Sequence, residues 1–310
     1  MRNYLIFIIW LSMSITVYGQ SPNWDEMIDN ASRLVRDTNV DERIKAFEFL
    51  NQNLGQYMVD YDEELENIEG LSILNLPEQD IKIISYQLYI DTSTYQYGGW
   101  IYAPLLSSPI FLNDQSPSWE MDADLDYLSF TPDQWYGVLY YQALPLTISE
   151  DQIVLALFGY DSYKFFTKRK LIETIAISRD KIQFGLPLIQ MEKDLPKVYF
   201  KSRFILDYAV QAAATMRYDI QHEKIIFDHL MFMKSDIPQQ NVMRVPDGTY
   251  SGFIVHPDGI LEYEDKVFHE VLDEAPGGRT EKGENTKETL FGENLDDKTH
   301  TKKRGSKLNK

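Results

Sequence analysis

Ile81-Lys82-Ile83-Ile84-Ser85-Tyr86-Gln87-Leu88-Tyr89-Ile90 is the stretch on which the fold turns. It is rich in β-branched and aromatic residues and partly alternates apolar with polar positions, the pattern of a strand. Runs of the same kind follow at 99–105, 136–146, 152–158, 169–177, 198–208, 213–220, 224–231, 251–255 and 260–263. Turn residues separate them, among them Asp161-Ser162, Ser178-Arg179-Asp180, Pro246-Asp247-Gly248 and Pro257-Asp258-Gly259. Short strands at this spacing, joined by tight turns without intervening helices, predict an antiparallel meander. A sandwich, an open barrel or a small propeller meets the pattern, the propeller least well because no fixed-period repeat is visible. The expected fold class is mainly β: an antiparallel β meander, sandwich or open barrel-like, with an N-terminal α-helical segment and a disordered C-terminal tail.

Upstream of that stretch the period changes. Ile44, Phe47, Leu50, Leu54, Tyr57, Met58, Tyr61 and Leu65 recur at steps of three and four, which predicts a helical region from Trp24 to about Leu65. Asn39 or Asp41 suits its N-cap, and Gly55 is a candidate break between two helices. At the start, Arg2 precedes the apolar run Leu5–Leu11, and Val17 and Gly19 occupy the −3 and −1 positions of a signal-peptidase site. That combination predicts a secretory signal, and the run is too short for a permanent membrane anchor. The expected layout is a signal peptide over 1–19, a helical segment over 20–75, an antiparallel β domain over 76–270 and a charged tail over 271–310. The tail lacks apolar periodicity, so ordering it would bury too little to offset the lost entropy.

The net charge is −18, and residues 271–310 carry nine basic against eight acidic side chains, so the negative charge falls on the rest of the chain. Such a field repels phosphate backbones, and nucleic acid is not an expected partner. There is no cysteine. Disulfides, thiol nucleophiles, cysteine-ligated zinc and a lipid-modified N-terminal cysteine are therefore excluded. An outer-membrane barrel would alternate apolar and polar residues along its strands, whereas several runs here are continuously apolar.

The order of local motifs resembles a family of uncharacterised secreted proteins common in Bacteroidetes. The motifs that carry the resemblance are Glu42-Arg43, Leu76-Pro77-Glu78-Gln79-Asp80, Trp135-Tyr136-Gly137-Val138-Leu139-Tyr140-Tyr141 and Leu155-Ala156-Leu157-Phe158-Gly159-Tyr160-Asp161. Phe184-Gly185, Arg203–Tyr208, Met216-Arg217-Tyr218, Ile225–Leu230 and Pro246–Tyr250 complete the set. The likeness covers roughly residues 40–255 and implies no activity; the charged tail after Glu270 is a departure from it. Physically these motifs are strand-and-turn grammar. Tyr140 and Tyr141 face opposite sides of a sheet, Trp135 suits a core edge, and Gly159-Tyr160-Asp161 and Asp247-Gly248 suit turns.

Four constellations have chemical potential. Asp228 and His229 pair a carboxylate with an imidazole, the usual groups for proton transfer. As strand neighbours they face opposite sides, so each needs partners from elsewhere, such as Arg203, Arg217 or Tyr218. His222, His229 and His256 are metal-ligand types without a recognised ligand spacing. Asp122, Asp124 and Asp126 resemble the first half of a calcium loop with Asp133 at the twelfth position, but Tyr127 replaces the turn glycine. Tyr89, Tyr95, Tyr97, Trp100 and Tyr102 cluster around Gly98-Gly99, read as a turn, and offer rings for stacking on a sugar or protein. No phosphate loop, Gly-x-Ser-x-Gly elbow or His-Glu-x-x-His occurs. The expected protein is an exported, non-catalytic cell-envelope or surface component, periplasmic or extracellular and outer-membrane associated, that binds a protein or glycan and needs no cofactor. The alternative is an exported hydrolase using Asp228 and His229.

Overall fold

The computed structural model describes residues 23–60, 66–119, 124–235 and 242–267. The signal peptide expected over 1–19 and the tail expected over 271–310 lie outside them. Helix α1 (Trp24–Arg36) buries Met27, Ala31 and Leu34 on one face, with Asp25 and Glu26 in its first turn and Arg33 and Arg36 in its last, as the helix dipole favours. Helix α2 (Val40–Asp60) begins where the Asn39 side-chain oxygen accepts the Asp41 N–H at 2.9 Å. The chain therefore breaks at 37–39 and not at Gly55, which lies inside α2. A Cβ at Gly55 would stand 2.4 Å from the Trp100 ring, so this glycine serves close helix–sheet approach.

Strands β1 (Ser72–Leu76), β2 (Ile81–Asp91), β3 (Thr94–Tyr102) and β4 (Ile110–Asn113) form a first antiparallel sheet in sequence order. β1 thus starts inside the span read as helical. β5 (Leu139–Ile148), β6 (Gln152–Asp161), β7 (Thr167–Ser178) and β10 (Arg203–Ala209) form a second, ordered β10-β7-β6-β5, with β8 (Lys181–Phe184) also paired to β7. The third runs β11 (Met216–Asp219), β12 (Lys224–Lys234), β13 (Val242–Val255), β14 (Leu261–Glu264) and β9 (Ile189–Gln190), its last pairing being parallel. Among the described residues no helix is long and apolar enough to cross a membrane.

Strand alternation stacks these parts into four layers. Ile84, Tyr86 and Leu88 of β2 pack on the helices, while Ile81 and Ile83 join Leu155, Leu157, Leu171 and Ile175 of the second sheet. Ala156, Phe158 and Ile172 face the other way, onto Ile225, Phe227 and Phe253 of the third sheet. β6 is buried on both faces, which is why its sequence is a continuous apolar run. Tyr140 and Tyr141 split as alternation requires, Tyr140 into the first of these inter-sheet cores and Tyr141 against the second.

Gly98 and Gly99 are not a turn. They lie in mid-strand, Gly98 opposite Tyr86, and the chain reverses at 91–94 instead. A Cβ at Gly98 would meet the Tyr86 ring at 2.4 Å, so the position needs a bare backbone for an aromatic to lie against it. Gly159 and Asp161 likewise fall inside β6 and not in a turn.

Candidate functional site

The residues singled out as acid–base candidates are separated. Asp228 is buried and takes the Thr215 hydroxyl at 2.8 Å, whereas the half-exposed His229 places Nδ1 2.7 Å from Asp247. A register shift between Asp228 and Leu230 leaves His229 at the irregularity. None of Arg203, Arg217 and Tyr218 engages either side chain: Arg203 binds Glu173, Arg217 binds Asp219, and the Tyr218 amide donates to Gln142. Asp247 is held near 2 by the Thr249 hydroxyl and amide and, less, by His229. His222 lies by Asp219 at 3.2 Å and His256 by Glu262 at 2.8 Å, so the three histidines have three different carboxylates. Among the described residues no three His, Asp or Glu are gathered to hold a metal. Asp126 is ion-paired with Lys201 at 2.6 Å, the Asp124 carbonyl accepts the Tyr127 N–H, and Asp122 lies outside the described residues.

The aromatic cluster divides by face. Trp100 and Tyr102 pack toward the helices, while Tyr95 and Tyr97 lie on the opposite side of the sheet. Cross-strand pairing sets Tyr89 opposite Tyr95 and Gln87 opposite Tyr97. The Tyr89 and Tyr95 rings are 5.7 Å apart and tilted by 48°, Tyr89 being exposed. A cavity of about 180 Å³ on the β3 side is lined by Ser93, Thr94, Tyr95, Ser116, Tyr136 and Asp161, among others. A larger one of about 510 Å³ is lined by Arg43, Ser72, Gln87, Tyr89, Leu71 and Leu139, among others. The Arg43 guanidinium is 5.4 Å from the Tyr89 ring centre and the Lys168 ammonium 5.2 Å from that of Tyr95.

Asp161 forms the floor of the smaller cavity. Its Oδ1 accepts the Tyr97 hydroxyl at 2.9 Å and the Tyr163 N–H at 2.7 Å, and its Oδ2 accepts the Tyr136 hydroxyl at 2.9 Å. Arg169 donates to the Tyr136 oxygen at 2.6 Å and is ion-paired with Asp207 at 2.6 Å. Burial pushes the Asp161 carboxyl up, against those donors and the Arg169 charge. Burial, and then the Asp161 charge, push both phenols well above their ordinary value. Neither tyrosine is a phenolate near neutral pH, and Asp161 already accepts three hydrogen bonds. This network is a buried polar cluster at the cavity wall whose hydroxyls and carboxylate are paired with one another, with Arg169 and with backbone, and it holds no activated nucleophile.

No protein-family model, curated protein or solved structure matches this chain.

Sequence reading reached the tyrosines but passed over Arg43, Tyr136, Asp161 and Arg169. The signal was phase. Arg43 is spaced with Phe47, Leu50 and Leu54 on the apolar helix face, and Asp161 falls in step with Leu155 and Leu157. A charge in step with a buried stripe needs a partner in the interior.

Proposed function

We propose that the protein is exported and acts without catalysis, as a cell-envelope or surface component that binds a glycan. The observation that carries this reading is the Tyr89–Tyr95 pair, set between two cavities whose walls supply hydroxyl, amide and carboxylate groups. Sugars offer an apolar ring face to an aromatic side chain and hydroxyls to polar ones, so the combination suits them. The hydrolase alternative draws less support, because Asp228 and His229 are committed to different partners. The test is calorimetric titration of the protein with soluble envelope oligosaccharides, alongside the Tyr89→Ala/Tyr95→Ala variant. Saccharide binding that weakens roughly tenfold or more in the variant is expected. Binding of equal strength in both, or to neither, overturns the reading.

A further inference from the structure

Three arginines are buried among the described residues, Arg43, Arg169 and Arg203. Arg169 has Asp207 and Arg203 has Glu173. Arg43, only 8% exposed, has no carboxylate partner among the described residues. Its Nε donates to the Tyr89 carbonyl at 3.0 Å and its Nη1 to the Asp37 carbonyl at 2.8 Å. Its Nη2 has no acceptor among the described residues. Two neutral carbonyls orient the group without compensating its charge, and Nη2, which is not a fully buried atom, is left open to an anion.

The same Arg43 lines the larger cavity, about 510 Å³, beside Leu34, Leu71, Leu139 and the Tyr89 ring. That volume is in the range of small-ligand sites. A guanidinium held through Nε and one Nη1 hydrogen still presents Nη2 and the other Nη1 hydrogen, and in an apolar wall that end suits a carboxylate carried on a body with an apolar face. Asp37 is the one acidic side chain in the lining, and its Oδ1 accepts the Asn39 N–H at 2.9 Å.

We infer that the Arg43 cavity is a binding site for a carboxylate-bearing ligand with an apolar face. Where the glycan reading above is granted, on which this narrower step rests, the ligand is an acidic sugar. The ligand carboxylate supplies the counter-charge that Arg43 lacks, while Tyr89 offers the stacking surface and Gln87 and Ser72 the neighbouring polar groups.

The experiment is calorimetric titration of the protein with glucuronate, with glucose as the neutral sugar and with decanoate as a carboxylate that is not a sugar. Glucuronate is expected to bind at least roughly tenfold tighter than glucose, the worth of a charge-assisted hydrogen bond. Arg43→Met is expected to remove that preference, Arg43→Lys to keep part of it, and Asp37→Asn to tighten glucuronate by taking a like charge from the wall. Thermal melts of each variant show whether it is folded, and Asp37→Asn leaves the Arg43 contacts in place should Arg43→Met fail to fold. Decanoate binding that depends on Arg43, with no sugar bound, supports the anion site and overturns the glycan reading. Equal binding of glucose and glucuronate, unchanged in Arg43→Met, overturns the anion site and leaves the glycan reading standing. Binding of neither carboxylate overturns the inference.

Discussion

Arg203→Met removes the cation from a pair whose side chains are both 0% exposed. Arg203 Nε donates to Glu173 Oε1 at 2.8 Å, Nη2 donates to the same oxygen, and Nη1 donates to the Leu125 carbonyl at 2.6 Å. The other Glu173 oxygen accepts the Tyr140 hydroxyl at 2.7 Å, and that hydroxyl accepts the Trp135 Nε1–H at 2.8 Å. Methionine fills the volume of the stem but strands a buried carboxylate and a carbonyl. Breaking one side of such a pair costs about 3–5 kcal/mol. At about 2–4 °C per kcal/mol for a body of this size, the midpoint of thermal unfolding falls by roughly 6–20 °C. Adding Glu173→Leu removes the stranded charge, and the double variant is expected to recover a large part of the loss, since an apolar replacement of a whole buried pair is often near neutral. Urea titration followed by tryptophan fluorescence gives the three stabilities. A cost under about 1 kcal/mol for Arg203→Met, or a double variant that simply adds two losses, would refute the reasoning.

Tyr97→Phe and Tyr136→Phe each take one donor from Asp161, and each is expected to cost about 1–3 kcal/mol in urea titration. Because both act on one carboxylate, the double variant is expected to depart from the sum by more than about 0.5 kcal/mol. Gly98→Ala drives a Cβ against the Tyr86 ring and the Asn51 side chain, and a loss of about 1–3 kcal/mol by the same assay is expected. At high pH the raised Tyr97, Tyr136 and Tyr140 hydroxyls keep their protons while unfolded chains lose theirs near 10. The stability they contribute is therefore present below about pH 10 and is lost as pH rises above it. Ultraviolet absorbance at alkaline pH should show exposed tyrosines titrating first and these three only on unfolding.

The strands were legible where burial is lopsided or total: β2 alternates in part, and β6 is apolar throughout because cores lie on both of its faces. β1 and β4 were not, since Ser-Ile-Leu-Asn-Leu and Ile-Phe-Leu-Asn are too short to establish a period. Gly55 and Gly98 misled the reading for one physical reason. Glycine marks both a chain reversal and a place where an aromatic ring must touch backbone, and only the partner ring, distant in sequence, tells them apart. The same holds for the site. Tyr97 and Asp161 are 64 residues apart in sequence yet hydrogen-bonded, a juxtaposition that depends on how two sheets stack. What the sequence did carry was an aromatic cluster and two charges, Arg43 and Asp161, in step with apolar positions.

The most direct measurement of ligand recognition at the Tyr89–Tyr95 face is tyrosine-selective NMR during titration with soluble envelope oligosaccharides. Tyr199 and Tyr250, exposed elsewhere on the molecule, serve as internal controls. Shifts confined to Tyr89, Tyr95 and their neighbours are expected. Saturating saccharide that moves no tyrosine signal, or moves those of Tyr199 and Tyr250 instead, would contradict a glycan site between the two cavities.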